Sequence, residues 1–439
     1  RRRHTRYIGD WSSDVCSSDL AMLAITGNVP TSQFNRAPFQ ETGRHFQAEF
    51  PNVMRPYVKK AFQPTRVEML PVTLRQAFKT MLTGRPGPVG IDVPLNCFAE
   101  EAEVEVPEPG LWRKGIRTGG SSTTESVEQA LEMLLAAEKP CILAGNGAMI
   151  SEAGKEIQKL SKLLGIPVAT TANGKGIIPE DNPLSLGVIG RNGTYMANES
   201  CRSCEVLLAV GAKFDDRQSS SWIPGYSFNI PPTQLIHVDI DPEELGRNYP
   251  PTLGIQADAK SFMGELCRVA DLKIKKTSDS TDSWLNEIRN WREDWTEFNR
   301  EPSESDAIPI RPERLLKEMR KVLPREAIVV CDVGEHHNWV IQFFESYEPR
   351  TMLQSWGFAS MGFGVCGVLG AKLAAPEKVC VSVCGDGGFM MTPHILCTAV
   401  EYNIPAGWII FNNYGWNVIR SEEHTSELQS PMYLVCRLL

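Results

Sequence analysis

Short apolar runs alternate along this chain with stretches of helical length, the rhythm of a parallel sheet wound on both faces by helices. In the first block the pattern predicts strands over 22–25 and 89–93 with a helix over 70–82 between them. The second block alternates throughout: helix 127–137, strand 140–143, helix 152–164 with Ser151 as its N-cap, then strands over 167–170, 206–210 and 234–238. The third opens with helix 312–322 and strand 327–330 and crosses a glycine-rich stretch at 357–370. It continues as strand 379–384, helix 392–402 and strand 408–411. An acidic, proline-bearing segment at 100–110 and a Gly-Ser-Thr run at 119–124 separate the first two blocks. A polar segment at 273–282 leads into a surface or interdomain helix over 284–298. The expected fold is α/β, with three doubly wound parallel-sheet domains at 21–105, 124–270 and 308–419, and a helix-bearing linker at 271–307.

The two ends do not share this pattern. Residues 10–19 can be encoded by GAC TGG AGT TCA GAC GTG TGC TCT TCC GAT, which matches a sequencing-library adapter. The reverse complement, read in another frame, gives residues 420–429, and codons for 1–9 continue the relation into 430–439. Two unrelated natural termini would not be complementary in this way. Residues 1–20 and 420–439 are therefore read as adapter-like sequence and kept out of the fold argument. The expectation is that 21–419 is an internal stretch of a longer gene, truncated at both ends, and that Cys16, Cys436, His4 and His424 carry no chemistry.

Composition narrows the class. Hydrophobic residues make up 42% of the 439, enough for large cores in a chain of several domains. No run approaches the ~20 apolar residues that cross a bilayer, and no secretory signal is visible. The formal charge of −8 argues against broad nucleic-acid binding. With Cys16 and Cys436 set aside, the cysteines are scattered through apolar contexts, as suits a reducing cytosol. Cys201 and Cys204 form a Cys-x-x-Cys pair without the second pair that a zinc site needs. A cytoplasmic enzyme with no membrane and no nucleic-acid partner is expected.

Candidate chemistry concentrates at 385–415. There an apolar strand runs into Gly385-Asp386-Gly387-Gly388-Phe389, and a second strand ends in Phe411-Asn412-Asn413-Tyr414-Gly415. In a parallel sheet both strands end on one edge, where Asp386 and Asn413 can converge. Two hard oxygen donors beside glycine amides suit a divalent ion such as Mg2+ that holds a diphosphate.

This pattern resembles the diphosphate-binding motif of thiamine-diphosphate (ThDP) enzymes, and the three-block order is similar to their acetolactate synthase (acetohydroxyacid synthase) branch. The stretch Ala24-Ile25-Thr26-Gly27-Asn28-Val29-Pro30, Phe39-Gln40-Glu41-Thr42 and Asp92-Val93-Pro94 resemble the pyrimidine-binding domain. Gly211-Ala212-Lys213-Phe214-Asp215-Asp216-Arg217 and His237-Val238-Asp239-Ile240-Asp241-Pro242 resemble the central domain. Asp332-Val333-Gly334-Glu335-His336 and Met361-Gly362-Phe363-Gly364 resemble the diphosphate-binding domain.

The resemblance implies a role for each of these positions. Asp386, Asn413 and the Gly415 carbonyl would ligate Mg2+. Gly334, His336, Gly387 and Gly388 would hold the diphosphate, and Met361 would wedge the cofactor into its bent form. Phe39 and Gln40 would line the active site across a homodimer or tetramer interface. Arg85, Gly145, Gly147, Gly193, Asp215, Arg217, Asp239 and Asp241 match regions near an FAD that is largely structural in the family. Glu335 stands where synthases commonly have glutamine, and a carboxylate there needs a partner or must turn away from the phosphates. The activating glutamate of the family lies before Ala24, outside this chain, so the chain is expected to be inactive alone.

The implied reaction decarboxylates a small 2-oxoacid, pyruvate, and adds the carbanion to a second one, as in branched-chain amino-acid biosynthesis; a regulatory subunit is compatible with it. A sister ThDP enzyme (glyoxylate carboligase or sulfoacetaldehyde acetyltransferase) and a non-catalytic nucleotide-binding homologue are the alternatives.

Overall fold

The computed structural model of the protein describes residues 20–38, 50–106, 108, 110, 120, 122–273, 282–357, 359–416, 418 and 435–438. They fall into two compact units. One comprises the described residues before Gly120 together with Trp356–Ser360, the other Gly120–Ser355 with Met361–Leu439.

In the first unit β1 (Leu23–Asn28), β2 (Lys60–Phe62) and β3 (Val89–Pro94) form a parallel sheet in the order β1-β3-β2. Central β3 is buried along its whole length, as befits a strand covered on both faces. Its one charge, Asp92, is satisfied by Thr26 Oγ1 at 2.8 Å, Asn28 Nδ2 at 2.6 Å and Gln63 Nε2 at 2.8 Å. Helix Leu70–Leu82 covers the span that its apolar spacing predicts and buries Ala77 and Met81.

The second unit holds two further sheets. The first contains β4 (Pro140–Ala144), β5 (Val168–Thr170), β6 (Ser185–Val188), β7 (Val206–Val210), β8 (Gln234–Asp239) and β9 (Leu253–Gln256). All are parallel, in the order β6-β5-β4-β7-β8-β9, so strand order reverses between β4 and β7. Alternate residues serve opposite faces. Ile142, Leu208 and Ile236 pack with Phe262 and Met263 on one side. Cys141, Leu143, Leu207 and Leu235 pack with Trp284 and Ile288 on the other. Trp284 belongs to helix Asp282–Phe298, and its Nε1 donates to the Pro140 carbonyl at 3.1 Å, so the helix after the second linker seals this sheet. Cys201 and Cys204 lie buried here, with Cys201 Sγ 4.0 Å from Cys141 Sγ. The bond to Cys141 and burial push the Cys201 thiol well up, which suits an inert structural residue.

The remaining sheet contains β10 (Ile328–Cys331), β11 (Met352–Gln354), β12 (Cys380–Gly385), β13 (Gly407–Asn412) and β14 (Val435–Leu438) in the order β11-β10-β12-β13-β14. Only β14 runs antiparallel, on the edge against β13. Strand order reverses between β10 and β12.

Two local expectations need correction. Ser151 does not cap the helix over 154–164; it ends a short helix, Asn146–Ile150, and its Oγ accepts the Lys260 amide at 3.2 Å. Glu152 takes a left-handed φ of 61°, which breaks the helical path before Gly154. After β12 no extended turn precedes the next helix, because Asp386–Met391 coils at once and a second helix, Ile395–Glu401, follows.

Candidate active site

The carboxyl ends of β10, β12 and β13 meet at the reversal of strand order, where ligands of open α/β sheets bind. Register fixes this edge. Cys331 pairs with Val383, and Gly385 pairs with Phe411. Asp332, Asp386 and Asn413 therefore each sit one or two residues beyond the paired part of neighbouring strands.

Asp332 ties three segments together. Its fully buried carboxylate accepts the Gly362 amide at 2.9 and 3.1 Å and the Gly364 amide at 3.0 Å. These amides open helix Phe363–Ala374, where unpaired donors and the positive helix pole favour an anion. On its other side lies Gly388, where any β-carbon would collide with Asp332 Oδ2. Sequence reasoning placed Asp332 in a motif without giving it this task. The signal was a carboxylate that ends an apolar strand two residues before Gly334.

His336 stands in the first turn of helix Glu335–Phe343, after Gly334 at φ 150°. Its ring packs on Gly385, with Nδ1 3.3 Å from where a β-carbon there would lie, and 6.0 Å from the Phe411 ring centre. The residue is 3% exposed, and its Nε2 has no hydrogen-bond partner. Burial, helped by neighbouring His337 and opposed by a backbone bond to Asp332, pushes its pKa down to about 3. The ring is thus neutral, with a buried polar atom awaiting a partner. Met361 lies just before Gly362, and its Cε is 3.5 Å from the β-carbon position of Gly387. Trp416, which sequence reasoning did not single out, lays its indole directly against Gly387. Its only sequence signal was an aromatic residue next to Gly415.

Glu335 is half-buried, and burial is the dominant influence on its carboxyl. Burial raises its pKa, while a hydrogen bond from Asn338 and the attraction of Arg217 work to keep it charged.

Apart from Arg85, the residues proposed for a flavin lie beyond β4, β7 and β8 near the other reversal point, but the glycine amides among them are engaged. The Gly145 and Gly147 amides donate to Val210 and Gly211 carbonyls at 2.9 and 3.0 Å, and the Gly193 amide donates to Gly190 at 2.9 Å. A β-carbon at Gly145 would collide with the Gly211 carbonyl, so close strand packing explains that glycine. Asp215 accepts the amides of Arg217 and Gln218 at 3.1 and 3.0 Å and Gln218 Nε2 at 2.7 Å. Asp239 and Asp241 accept the amides of Asp241 and Glu243 at 2.9 and 3.0 Å. Arg217 donates to Asn192 at 3.2 Å. These glycine amides do not fit a pyrophosphate cradle, since the fold itself uses them. Arg85 lies in the first unit, its carbonyl accepting Lys59 Nζ at 2.8 Å. Phe39 and Gln40 lie outside the described residues.

The donor set at the β12–β13 edge does fit a diphosphate with a divalent ion: an acid, an amide, glycines and a buried imidazole with an open nitrogen. Among the described residues no cluster of three His, Cys, Asp or Glu can hold a metal, and the expected set of Asp386, Asn413 and a carbonyl contains only one such side chain. Nor is any described helix long and apolar enough to cross a membrane.

Fold and site together define a thiamine-diphosphate enzyme. Residues 127–266 match the family described as "Thiamine pyrophosphate enzyme, central domain", and 332–434 match "Thiamine pyrophosphate enzyme, C-terminal TPP binding domain". The chain is 36% identical over 409 residues to the probable acetolactate synthase large subunit of Methanococcus aeolicus, covering 90% of this chain and 66% of that protein. To the protein of the same description from Methanocaldococcus jannaschii it is 34% identical over 431 residues, covering 94% and 70%. To the acetolactate synthase large subunit of Haemophilus influenzae the figures are 30% over 407 residues, covering 92% and 68%. The chain belongs to the acetolactate synthase large-subunit family. It spans about two thirds of the length of these relatives.

Proposed function

We propose that the protein is a ThDP- and Mg2+-dependent carboligase that decarboxylates a 2-oxoacid such as pyruvate and joins the remaining two-carbon unit to a second 2-oxoacid. The observation that carries this reading is the β12–β13 register, which sets Asp386 and Asn413 on one sheet edge, where the His336 ring packs on Gly385 and keeps its Nε2 without a partner. Asp386, Asn413 and the Gly415 carbonyl hold Mg2+ in this reading. Gly334, Gly387, Gly388 and His336 bind the diphosphate. Met361 orients the rings. Bound ThDP supplies the electron sink for the carbon that loses carbon dioxide. Phe39 and Gln40 line the substrate side in a homodimer or tetramer, and a regulatory subunit is compatible with the assembly. A flavin at the central sheet would be held by Arg217 and neighbouring groups rather than by the Gly145, Gly147 and Gly193 amides, which are bonded within the fold.

Calorimetry tests the cofactor site directly. The chain should bind ThDP with Mg2+ and lose that binding when the metal is chelated. Metal-independent binding, or none, would overturn the assignment. Acetolactate formed from pyruvate by the product of the complete reading frame tests the reaction. Turnover of glyoxylate or sulfoacetaldehyde without acetolactate would move the protein to a sister branch, and no turnover at all would favour the non-catalytic homologue.

A further inference from the structure

The loop after β5 grips helix Glu335–Phe343 near both of its ends. Toward the C-terminal end Lys175, 3% exposed, donates from Nζ to the Ile341 carbonyl at 3.1 Å and to Glu180 Oε1 at 2.7 Å. A cation suits that end of a helix, where the last carbonyls carry the negative pole. Glu180 accepts the Ser346 amide at 2.6 Å and donates its own amide to the Ser346 carbonyl at 3.1 Å, so the loop also binds the segment that leaves the helix. In the first turn, His337 Nε2 bonds Gln354 Oε1 at 2.7 Å, and Gln354 Nε2 donates to the Ala172 carbonyl. Because the Gln354 nitrogen is the donor to Ala172, its oxygen must accept, and His337 must donate. His337 and Gln354 are 5% and 8% exposed, so water is a poor substitute for either bond.

We propose that loop 172–180 is a positioning element for the cofactor site, acting through His337 and Lys175 to fix the helical turn that carries His336. The inference rests on the reading of His336 as a diphosphate donor. His336 is the chain neighbour of His337, and its ring is wedged against Gly334 and Gly385. A displacement of ~1 Å at that turn would carry its imidazole out of hydrogen-bonding range. The loop belongs to the central sheet, so this contact makes the geometry of one sheet's site depend on the other.

The full chain is compared with His337→Phe, which removes the donor at similar volume, and His337→Gln, whose amide can donate in its place. Gln354→Met cuts the same relay from β11 and carries both readouts if His337→Phe does not fold. The readouts are the Kd for ThDP with saturating Mg2+, and amide hydrogen exchange over residues 335–338 in the ligand-free chain. His337→Phe and Gln354→Met should each weaken ThDP binding about ten-fold and speed exchange by a similar factor, with His337→Gln within about three-fold of wild type. Unchanged exchange overturns the proposal, as does faster exchange with wild-type ThDP affinity, which would leave the relay a purely structural part. If wild type itself binds no ThDP, the cofactor reading falls, and the exchange rates alone decide whether the relay positions the turn.

Discussion

The carboxylate of Asp332 receives the Gly362 amide through both oxygens, at 2.9 and 3.1 Å, inside a fully buried pocket at the tip of β10. One side chain thereby sets the distance between the turn that carries Met361 and the strand edge that carries Asp386.

Replacing Asp332 with alanine strands the Gly362 and Gly364 amides without acceptors. A loss of roughly 3 kcal/mol in stability is expected, since each buried unsatisfied group costs about 1–3 kcal/mol. Asp332→Asn should lose about half as much, because its carbonyl oxygen still accepts. Urea unfolding followed by tryptophan fluorescence measures both, and equal midpoints for all three proteins would contradict the account.

Lys175→Met leaves the Glu180 carboxylate buried without its cation. Breaking one side of such a pair costs about 3–5 kcal/mol. Adding Glu180→Gln removes the charge yet keeps an acceptor for the Ser346 amide, so the double variant should regain more than half of the loss. A double variant no more stable than Lys175→Met would show that the buried charge is not the cause.

Stability should fall with acid earlier than carboxylate titration predicts. His336 and His337 have pKa values pushed down from 6.5 to about 3 and about 4, in both cases chiefly by burial. Below 6.5 the unfolded chain therefore binds protons that the folded chain refuses. Their contribution is fully present above that pH and is lost as pH falls through 6.5 toward 4, by up to about 1.4 kcal/mol per pH unit for each ring. Denaturation midpoints measured from pH 7 to 4.5 should decline in wild type and decline less in His337→Gln. Parallel slopes would rule out the histidine contribution.

Asp386→Ala should weaken Mg2+-dependent ThDP binding by at least about ten-fold, the loss of one charged ligand. Stability should fall less than in Asp332→Ala, because Asp386 is half-buried at the start of a short helix whereas Asp332 is fully buried. A fold disrupted by this change, or ThDP affinity unmoved, would assign the carboxylate a different task.

Much of the fold was legible because strand and helix periods respond to local burial. Helices Leu70–Leu82 and Pro312–Val322 occupy the spans that their spacing predicts. Strand Val206–Val210 does too, since a strand buried on both faces leaves an unbroken apolar run. Boundaries moved where a single backbone angle decided them, as at Glu152.

The site was legible only in part. Asp386 and Asn413 could be assigned to one sheet edge because parallel neighbours end on the same side whatever surrounds them. The pattern could not tell what Gly145 and Gly147 do, since a residue chosen for close strand packing looks the same in sequence as one chosen for phosphate.

By itself, then, the chain's pattern determined three parallel α/β blocks, the family to which they belong and the sheet edge that carries Asp386 and Asn413. Tertiary structure alone decided which donors remain open. It consumed the Gly145 and Gly147 amides within the fold, left His336 Nε2 without a partner, and tied His337 through Gln354 to Ala172. The physical reason is that hydrogen-bond satisfaction depends on residues far apart in the chain, 182 positions in the case of Gln354 and Ala172. No local pattern encodes that distance.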